Sequence, residues 1–172
     1  SDLFGLDNGA VIGFEYRYGI ASGFQAGINR TSDATIELFT QYDLMQQSRS
    51  KPIGLAVVVA VEGLDNLSVY YSPSIGAVLS RSLGDRAALY AQPLFVGNTN
   101  LDTPTGGSDH TFMVGLGMRV RLGDSTYLVA ETVPRLAGYT HDSAYVSFGL
   151  EKRAGGHMFQ LNVSNGFGTT FA

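Results

Sequence analysis

Reactive side chains are few in this chain, and their spacing matches none of the common catalytic patterns. The three histidines, His110, His141 and His157, lie far apart and form no HExxH or comparable metal-binding spacing. His141, Asp142 and Ser143 are consecutive, but neighbours in a strand point to opposite faces and could not form a triad there. No serine lies in a GxSxG setting. The sequence therefore predicts no enzyme, no metal site and no cofactor.

The segment between Asn98 and Asp109 is rich in oxygen-bearing side chains, which are the ligands that calcium prefers. The DxDxDG spacing of a calcium loop is absent, however, so we interpret the segment as a solvated loop. Gly13, Gly115 and Gly117 likewise do not form a GxGxxG turn at the start of a helix. The glycines therefore indicate no nucleotide-binding loop.

Arginines and glutamates recur on one side of alternating segments and form the main candidate site. The predicted set, expected to line the lumen of a barrel, is Glu15, Arg17, Glu37, Arg119, Arg121, Glu131, Arg135, Glu151 and Arg153. Charges enclosed in a narrow barrel must pair, because burying a lone charge is costly. One hypothesis is an Arg/Glu network that plugs the lumen. The other is a pore lining whose mixed charges tune selectivity.

Alternation of apolar and polar residues with a period of two dominates the chain and predicts strands that would position these charges. Short clusters of turn formers, such as Gly84-Asp85, separate the segments. We predict no helix, apart from one turn that could form between Asp43 and Ser50. The ten predicted strands span 9–19, 23–30, 34–42, 52–62, 67–82, 86–96, 110–122, 125–136, 143–153 and 156–163. They indicate an all-β, antiparallel up-and-down fold in a single domain, residues 1–172.

The opposite face of these strands is apolar. Its predicted members, expected to face lipid, include Ile12, Phe14, Val69, Ile75, Val114, Leu116, Val146 and Phe148. A soluble barrel would turn such a face inward, whereas a membrane-spanning barrel turns it toward lipid and the polar face toward the lumen. The polar faces are rich in Gly and Ser rather than Lys and Glu, which favours the membrane barrel. Strand length agrees, since about 9–11 residues cross a bilayer.

Tyrosines near the ends of predicted strands give a third argument for a membrane barrel. Aromatic residues concentrate where barrels meet the two membrane–water interfaces. The candidates for such a belt are Tyr18, Tyr42, Tyr90, Tyr127 and Tyr139.

Composition fits the same interpretation and excludes several classes of protein. Of the 172 residues, 44% are hydrophobic and 15% charged, against about 25% charged in average globular proteins. Lys51 and Lys152 are the only lysines, and a net charge of −4 argues against nucleic acid as a partner. The longest apolar stretch, 53–61, is far shorter than the roughly 20 residues of a spanning helix. With no cysteine, disulfides and thiolate metal sites are excluded.

Connection lengths predict an orientation and a strand count. The connections after odd-numbered predicted strands are mostly short, whereas the longest, 97–109, and 137–142 follow even-numbered strands. Outer-membrane barrels keep short turns on the periplasmic side. The first predicted strand then runs toward the periplasm, so we expect an upward strand before Ser1 and a downward strand after Ala172. The chain would be a fragment of a twelve-stranded barrel; partner segments in the gap or direct pairing of its own ends are the alternatives.

Several segments resemble a known family. They are residues 3–10 (LFGLDNGA), 130–135 (AETVPR) and 155–161 (GGHMFQL), with Ser164-Asn165 and residues 168–170 (GTT) after the last. The chain resembles the DUF5777 family of bacterial β-barrel proteins of unknown function over essentially its whole length. The resemblance implies an outer-membrane-type barrel of Gram-negative bacteria. The family has no established activity, and the resemblance supplies no catalytic residues to transfer.

The sequence thus predicts a transmembrane β-barrel of the bacterial outer membrane that acts as a structural or channel component of the cell envelope. Its expected partners are outer-membrane lipid and other envelope proteins. One alternative is a non-porous barrel that docks partner proteins in an envelope complex. Another is a soluble periplasmic barrel that binds an apolar ligand.

Overall fold

The computed structural model describes residues 13–99, 109–138, 144–155 and 157–165, which form one antiparallel sheet of eleven strands. The strands are β1 (Gly13–Ala21), β2 (Phe24–Thr31), β3 (Ile36–Met45), β4 (Gly54–Gly63), β5 (Val69–Leu83), β6 (Ala87–Val96), β7 (Thr111–Arg121), β8 (Thr126–Val133), β9 (Arg135–Gly138), β10 (Tyr145–Ala154) and β11 (His157–Ser164). Each strand pairs with the next along the chain, except that β8 pairs with β10 while β9 pairs with β7. The predicted all-β, antiparallel up-and-down arrangement is confirmed.

One predicted strand, 125–136, is split in two. Pro134 separates β8 from β9 because a proline has no N–H to donate to the ladder. The chain stays beside β7 across the break, where the Val114 amide donates to the Pro134 carbonyl at 3.1 Å. Past the break, Met113 pairs with Arg135 and the register shifts at Phe112, so β9 lies against the start of β7.

The one helical turn lies elsewhere than expected. Residues 43–45 continue β3, and the turn is α1 (Leu64–Leu67), between β4 and β5. Asp65 and Asn66 have left-handed backbone, with φ of 47° and 57°, a conformation that Asp and Asn tolerate better than most residues. The Asn66 amide donates to the Ala34 carbonyl at 2.8 Å, which ties α1 to the β2–β3 connection. No helix in the described ranges is long and apolar enough to cross a membrane.

The sheet has two chemically different faces. We call inner the face that carries Glu37 and Phe39 of β3, both buried, and outer the face that carries the exposed Leu38 and Thr40. The register continues these faces from strand to strand. On the inner face, for example, Glu15, Asn29, Glu37, Glu62 and Ser72 form one row across β1 to β5.

The inner face also holds an apolar cluster of Val58, Leu94, Val96 and Met113, with Val133 packed against it. Gly76 lies between Val58 and Leu94 in the register, and a Cβ there would come within 2.8 Å of Leu94 Cδ1. Because Gly76 has no side chain, Val58 of β4 and Leu94 of β6 can contact each other across β5 on the inner face. The alternation predicts an inner face lined only by polar residues. This prediction is wrong for β4 and β6, where both faces are apolar.

The connections define two ends of the sheet. The short-turn end holds 22–23, 84–86 and 122–125, together with the longer 46–53. The long-loop end holds 32–35, α1 and the connection from β6 to β7. Strands β1 and β11 lie at the two edges, and within the described part of the chain they do not pair with each other.

Candidate functional site

The register places every member of the predicted charged set on the inner face. Arg119 and Arg121 of β7 share this face with Tyr127 of β8 and Glu151 of β10. Glu131 lies opposite Gly117 and Ser147, and Arg135 lies opposite Met113. The set does not form one site, because its members divide between the two ends of the sheet.

Three charged members of the set meet near the short-turn end and form the arginine cluster, defined as Arg119, Glu151, Arg153 and Tyr127. Arg119 donates to both Glu151 oxygens, with Nε at 3.0 Å from Oε2, and Arg153 Nε donates to Oε1 at 3.3 Å. The Arg119 guanidinium carbon lies 3.4 Å from the centre of the Tyr127 ring, and that of Arg153 lies 5.5 Å away. The buried Glu151 carboxylate therefore accepts hydrogen bonds from two arginines, and the Tyr127 ring lies against both guanidiniums.

Arg121 connects the short turns rather than joining the arginine cluster. Its Nε donates to the Gly123 carbonyl at 3.1 Å, and its other nitrogens reach Asp85 at 3.5 Å and the Asp124 carbonyl at 3.2 Å. Both aspartates are exposed, so these contacts position the turns more than they stabilise the fold.

Glu15 and Arg17 form a pair of their own near the edge of the sheet. Arg17 lies 2.8 Å from Glu15 Oε1, and both side chains are nearly half exposed. The Arg17 guanidinium carbon also lies 4.8 Å from the centre of the Phe39 ring. Phe39 in turn covers Gly27, where any Cβ would overlap the ring. The charge thus sits on top of an aromatic–glycine contact between β2 and β3.

The long-loop end holds a different, buried polar layer. Glu37 lies opposite Glu62, which is missing from the predicted set, and both side chains are buried. Beside them the Ser72 hydroxyl donates to the Asn98 carbonyl at 3.0 Å, and the Asn98 amide donates to the Tyr71 carbonyl at 2.7 Å. Glu62 was not found from the sequence because it lies near the end of a strand that is apolar on both faces. Only its register with Glu37 brings it into the layer.

Two tyrosines of the predicted interfacial belt are on the inner face instead, so that prediction is wrong for them. Tyr90 lies over Gly117, where a Cβ would overlap its ring. Tyr127 lies against Arg119, as described above. Tyr18 and Tyr42 are exposed on the outer face, and Tyr139 lies outside the described residues.

The predicted lipid-facing residues that the strand register covers lie on the outer face, whereas Val69 precedes the left-handed Tyr70, outside the paired residues of β5. The exposed ones are Phe14, Val69, Ile75, Leu116 and Phe148, whereas Val114 and Val146 are half-buried. Ile12 lies outside the described residues.

The histidines do not form a metal site in the described ranges. His110 is exposed beside Asp109, at 3.4 Å, and its ring centre lies 5.5 Å from that of Phe95. His157 begins β11, while His141 and Asp142 lie outside the described residues. No group of three or more potential metal ligands comes together in the part of the chain that the structure describes.

Comparison with known proteins agrees with these faces. No curated protein matches the chain. The family model for DUF5777, described as a membrane-bound beta barrel domain, matches residues 1–171. The resemblance noted in the sequence is therefore confirmed, and the chain belongs to the DUF5777 family of membrane-bound β-barrel domains.

Proposed function

We propose that the chain forms the wall of a structural, non-conducting barrel in the bacterial outer membrane, without catalytic activity. The burial of the inner face at the long-loop end carries this proposal. Val96 and Thr111 face each other across β6 and β7 and are 0% exposed, and Glu37 is 4% exposed. In an open porin, side chains on the inner face line an aqueous channel. Side chains buried this deeply contact other side chains instead.

The two ends of the inner face differ, which gives the proposed barrel a direction. Near the short-turn end Ser80, Ser82 and Arg153 are exposed on the inner face, so water reaches that half. The inner face then borders a recess that is open at the short-turn end and filled at the long-loop end. Bacterial barrels keep short turns in the periplasm, so the recess would open to the periplasm. The membrane-bound family favours this over the soluble periplasmic alternative.

The arginine cluster supports a second candidate, a scaffold that docks another envelope protein at the short-turn end. Arg119 and Arg153 share the single carboxylate of Glu151, and 56% of the Arg153 side chain is exposed. An acidic segment of a partner would complement this surplus positive charge. Co-purification of a stable partner that is lost in an Arg153→Gln variant would support docking. A barrel that purifies alone, with and without the substitution, would count against it.

Conductance tests the main proposal. The full-length protein is reconstituted in planar bilayers beside an open porin as positive control. We expect no current steps above the lipid background, because the packed half of the inner face leaves no continuous water path. Reproducible single-channel steps would overturn the non-conducting assignment and favour the channel alternative.

A further inference from the structure

A shallow apolar groove of about 570 Å³ lies on the outer face, where β5, β6, β7, β8 and β10 run side by side. Its floor and walls come from two neighbouring rows of the register. One row contains Arg81, Leu89, Met118, Ala130 and Phe148. The other runs from Leu79 through Ala91 to Val146. The volume lies within the range of about 300–1,000 Å³ that is typical of small-molecule sites.

Small residues account for the shape of the groove. Ala130 lies between Met118 and Phe148, and Ala91 lies between Leu79 and Leu116. Alanines with larger side chains on both sides leave a depression in the outer face. Because this face belongs to a membrane-bound domain, the depression faces lipid chains rather than water.

Charge on the outer face has one sign. The strand carboxylates, which are Glu15, Glu37, Asp43, Glu62, Glu131 and Glu151, all lie on the inner face of the described sheet. The outer face carries the cations Arg30, Arg81 and Lys152 in the same strands. A face that carries cations and no carboxylates attracts anionic lipid headgroups.

Arg81 is the cation that lines the groove. It is exposed two residues before β5 ends at Leu83, and so lies near the short-turn end of the sheet. Other strand arginines have partners: Arg17 pairs with Glu15, for example, and Arg30 donates to Asn66 at 3.1 Å. Within the described residues the structure shows no hydrogen bond or ion pair for the Arg81 side chain. A lipid-facing arginine near the interface extends its head toward the phosphates.

We propose that this groove binds one anionic phospholipid, with an acyl chain along the apolar floor and the phosphate on the Arg81 guanidinium. The planar guanidinium offers two parallel N–H groups to two phosphate oxygens, a geometry that Lys152 cannot reproduce. The inference depends on the membrane location that the family establishes. It does not depend on whether the barrel conducts, so the conductance experiment and the lipid experiment can fail separately.

Native mass spectrometry of the delipidated full-length protein in detergent tests the proposal. The protein is titrated with phosphatidylglycerol or phosphatidylcholine of identical acyl chains. We expect one phosphatidylglycerol to be retained in preference to phosphatidylcholine, and Arg81→Gln to reduce that retention about tenfold, because a charge-assisted pair is lost. Arg81→Lys should recover part of it.

Two further variants separate the groove from general surface charge. Lys152→Gln removes a cation from the same face and the same end but outside the groove, so it should change retention less than about twofold. Ala130→Leu fills the floor and should lower retention of both lipids. Equal phosphatidylglycerol retention by wild type, Arg81→Gln and Ala130→Leu would overturn the proposal. The proposal would also be overturned if the wild-type protein formed a dimer in lipid-free detergent and Ala130→Leu dissociated it, because the groove would then bind a second copy of the chain.

Discussion

Glu151 accepts hydrogen bonds from both Arg119 and Arg153, and its side chain is only 5% exposed. Replacing it with Ala leaves two guanidiniums against Tyr127 with no carboxylate between them. Removing one partner of a fully buried pair typically costs about 3–5 kcal/mol. Here 28% of the Arg119 side chain is exposed, so solvent screens part of the charge that loses its partner. We expect Glu151→Ala to lower the free energy of unfolding by an amount near the low end of that range. Urea unfolding in phospholipid vesicles, followed by far-UV circular dichroism, measures it.

The Glu15–Arg17 pair provides the matched control. Both side chains are nearly half exposed, and exposed pairs are worth about 0–1 kcal/mol. Glu15→Ala should therefore change the free energy of unfolding by less than about 1 kcal/mol. A Glu151→Ala effect no larger than that of Glu15→Ala would show that the arginine cluster does not stabilise the barrel.

Asp33, in the β2–β3 connection, carries a separate pH-dependent interaction. The Thr31 hydroxyl donates to its carboxylate, and this hydrogen bond holds the pKa of Asp33 below its ordinary value of 3.8. Its contribution to stability is therefore complete above pH 3.8 and is lost as the pH falls through the lower folded pKa. We expect Thr31→Val to raise the pKa of Asp33, as measured by NMR titration, and Thr31→Ser to leave it low. An Asp33 pKa unchanged by Thr31→Val would refute this assignment.

Alternation in the sequence was enough to place the predicted charged residues on one face, since side chains in a strand change sides at every residue. It could not say which of them meet. Arg119 reaches Glu151 from two strands away, and the register that aligns them is set by long-range pairing. Tyr90 was missed as an inner-face residue because its ring fills the space above Gly117, a contact between different strands.

At the scale of the strand, glycines opposite aromatic rings fix how the hairpins pack. Tyr90 of β6 covers Gly117 of β7, and a Cβ added at Gly117 would overlap the Tyr90 ring. The ring would have to move to make room for that Cβ. We expect Gly117→Ala to lower the free energy of unfolding by about 1–3 kcal/mol, the usual cost of overpacking. The same urea unfolding measurement applies.

Gly19 of β1 is the control for this strand-scale prediction, because a Cβ there meets no atom within 4 Å. Gly19→Ala should be neutral or slightly stabilising, since alanine reduces the entropy of the unfolded chain. In a Tyr90→Ala background, Gly117→Ala should lose most of its effect, because the ring it displaces is gone. Fully additive losses in the double variant would refute the aromatic–glycine contact.

The strands were predictable where one face is apolar and the other polar, as in β1, β10 and β11. In β4 and β6 apolar residues occupy both faces, so alternation gave their extent but not their packing. The predicted strand 125–136 ran through Pro134, although the missing proline N–H is visible in the sequence. The re-pairing of β9 with β7 needs the register shift at Phe112, which the sequence does not show. The turn α1 depends on the left-handed backbone of Asp65 and Asn66, a conformation that the hydrophobic periodicity of the sequence does not predict.

At the scale of the whole molecule, neighbouring strands in sequence are neighbours in the sheet, and this follows from short connections between antiparallel strands. The twelve-strand count stays a prediction, because it depends on strands outside residues 1–172. The described sheet does establish which connections lie at the same end. The turns at 22–23, 84–86 and 122–125 occupy one end, and 32–35 and α1 occupy the other.

This separation makes the proposed orientation testable. Ser22 and Ser32 are both exposed, lie at opposite ends of β2, and can each be replaced by Cys in a chain that has no native cysteine. Short turns lie in the periplasm of outer-membrane barrels, so an impermeant maleimide should label Ser32→Cys in intact cells and Ser22→Cys only after lysis. Labelling after lysis of both variants controls for reactivity. The reverse pattern would invert the proposed orientation and make the filled half of the barrel face the periplasm. Equal labelling of both variants in intact cells would argue against a membrane-spanning β2, because it would place both of its ends on the same side of the outer membrane.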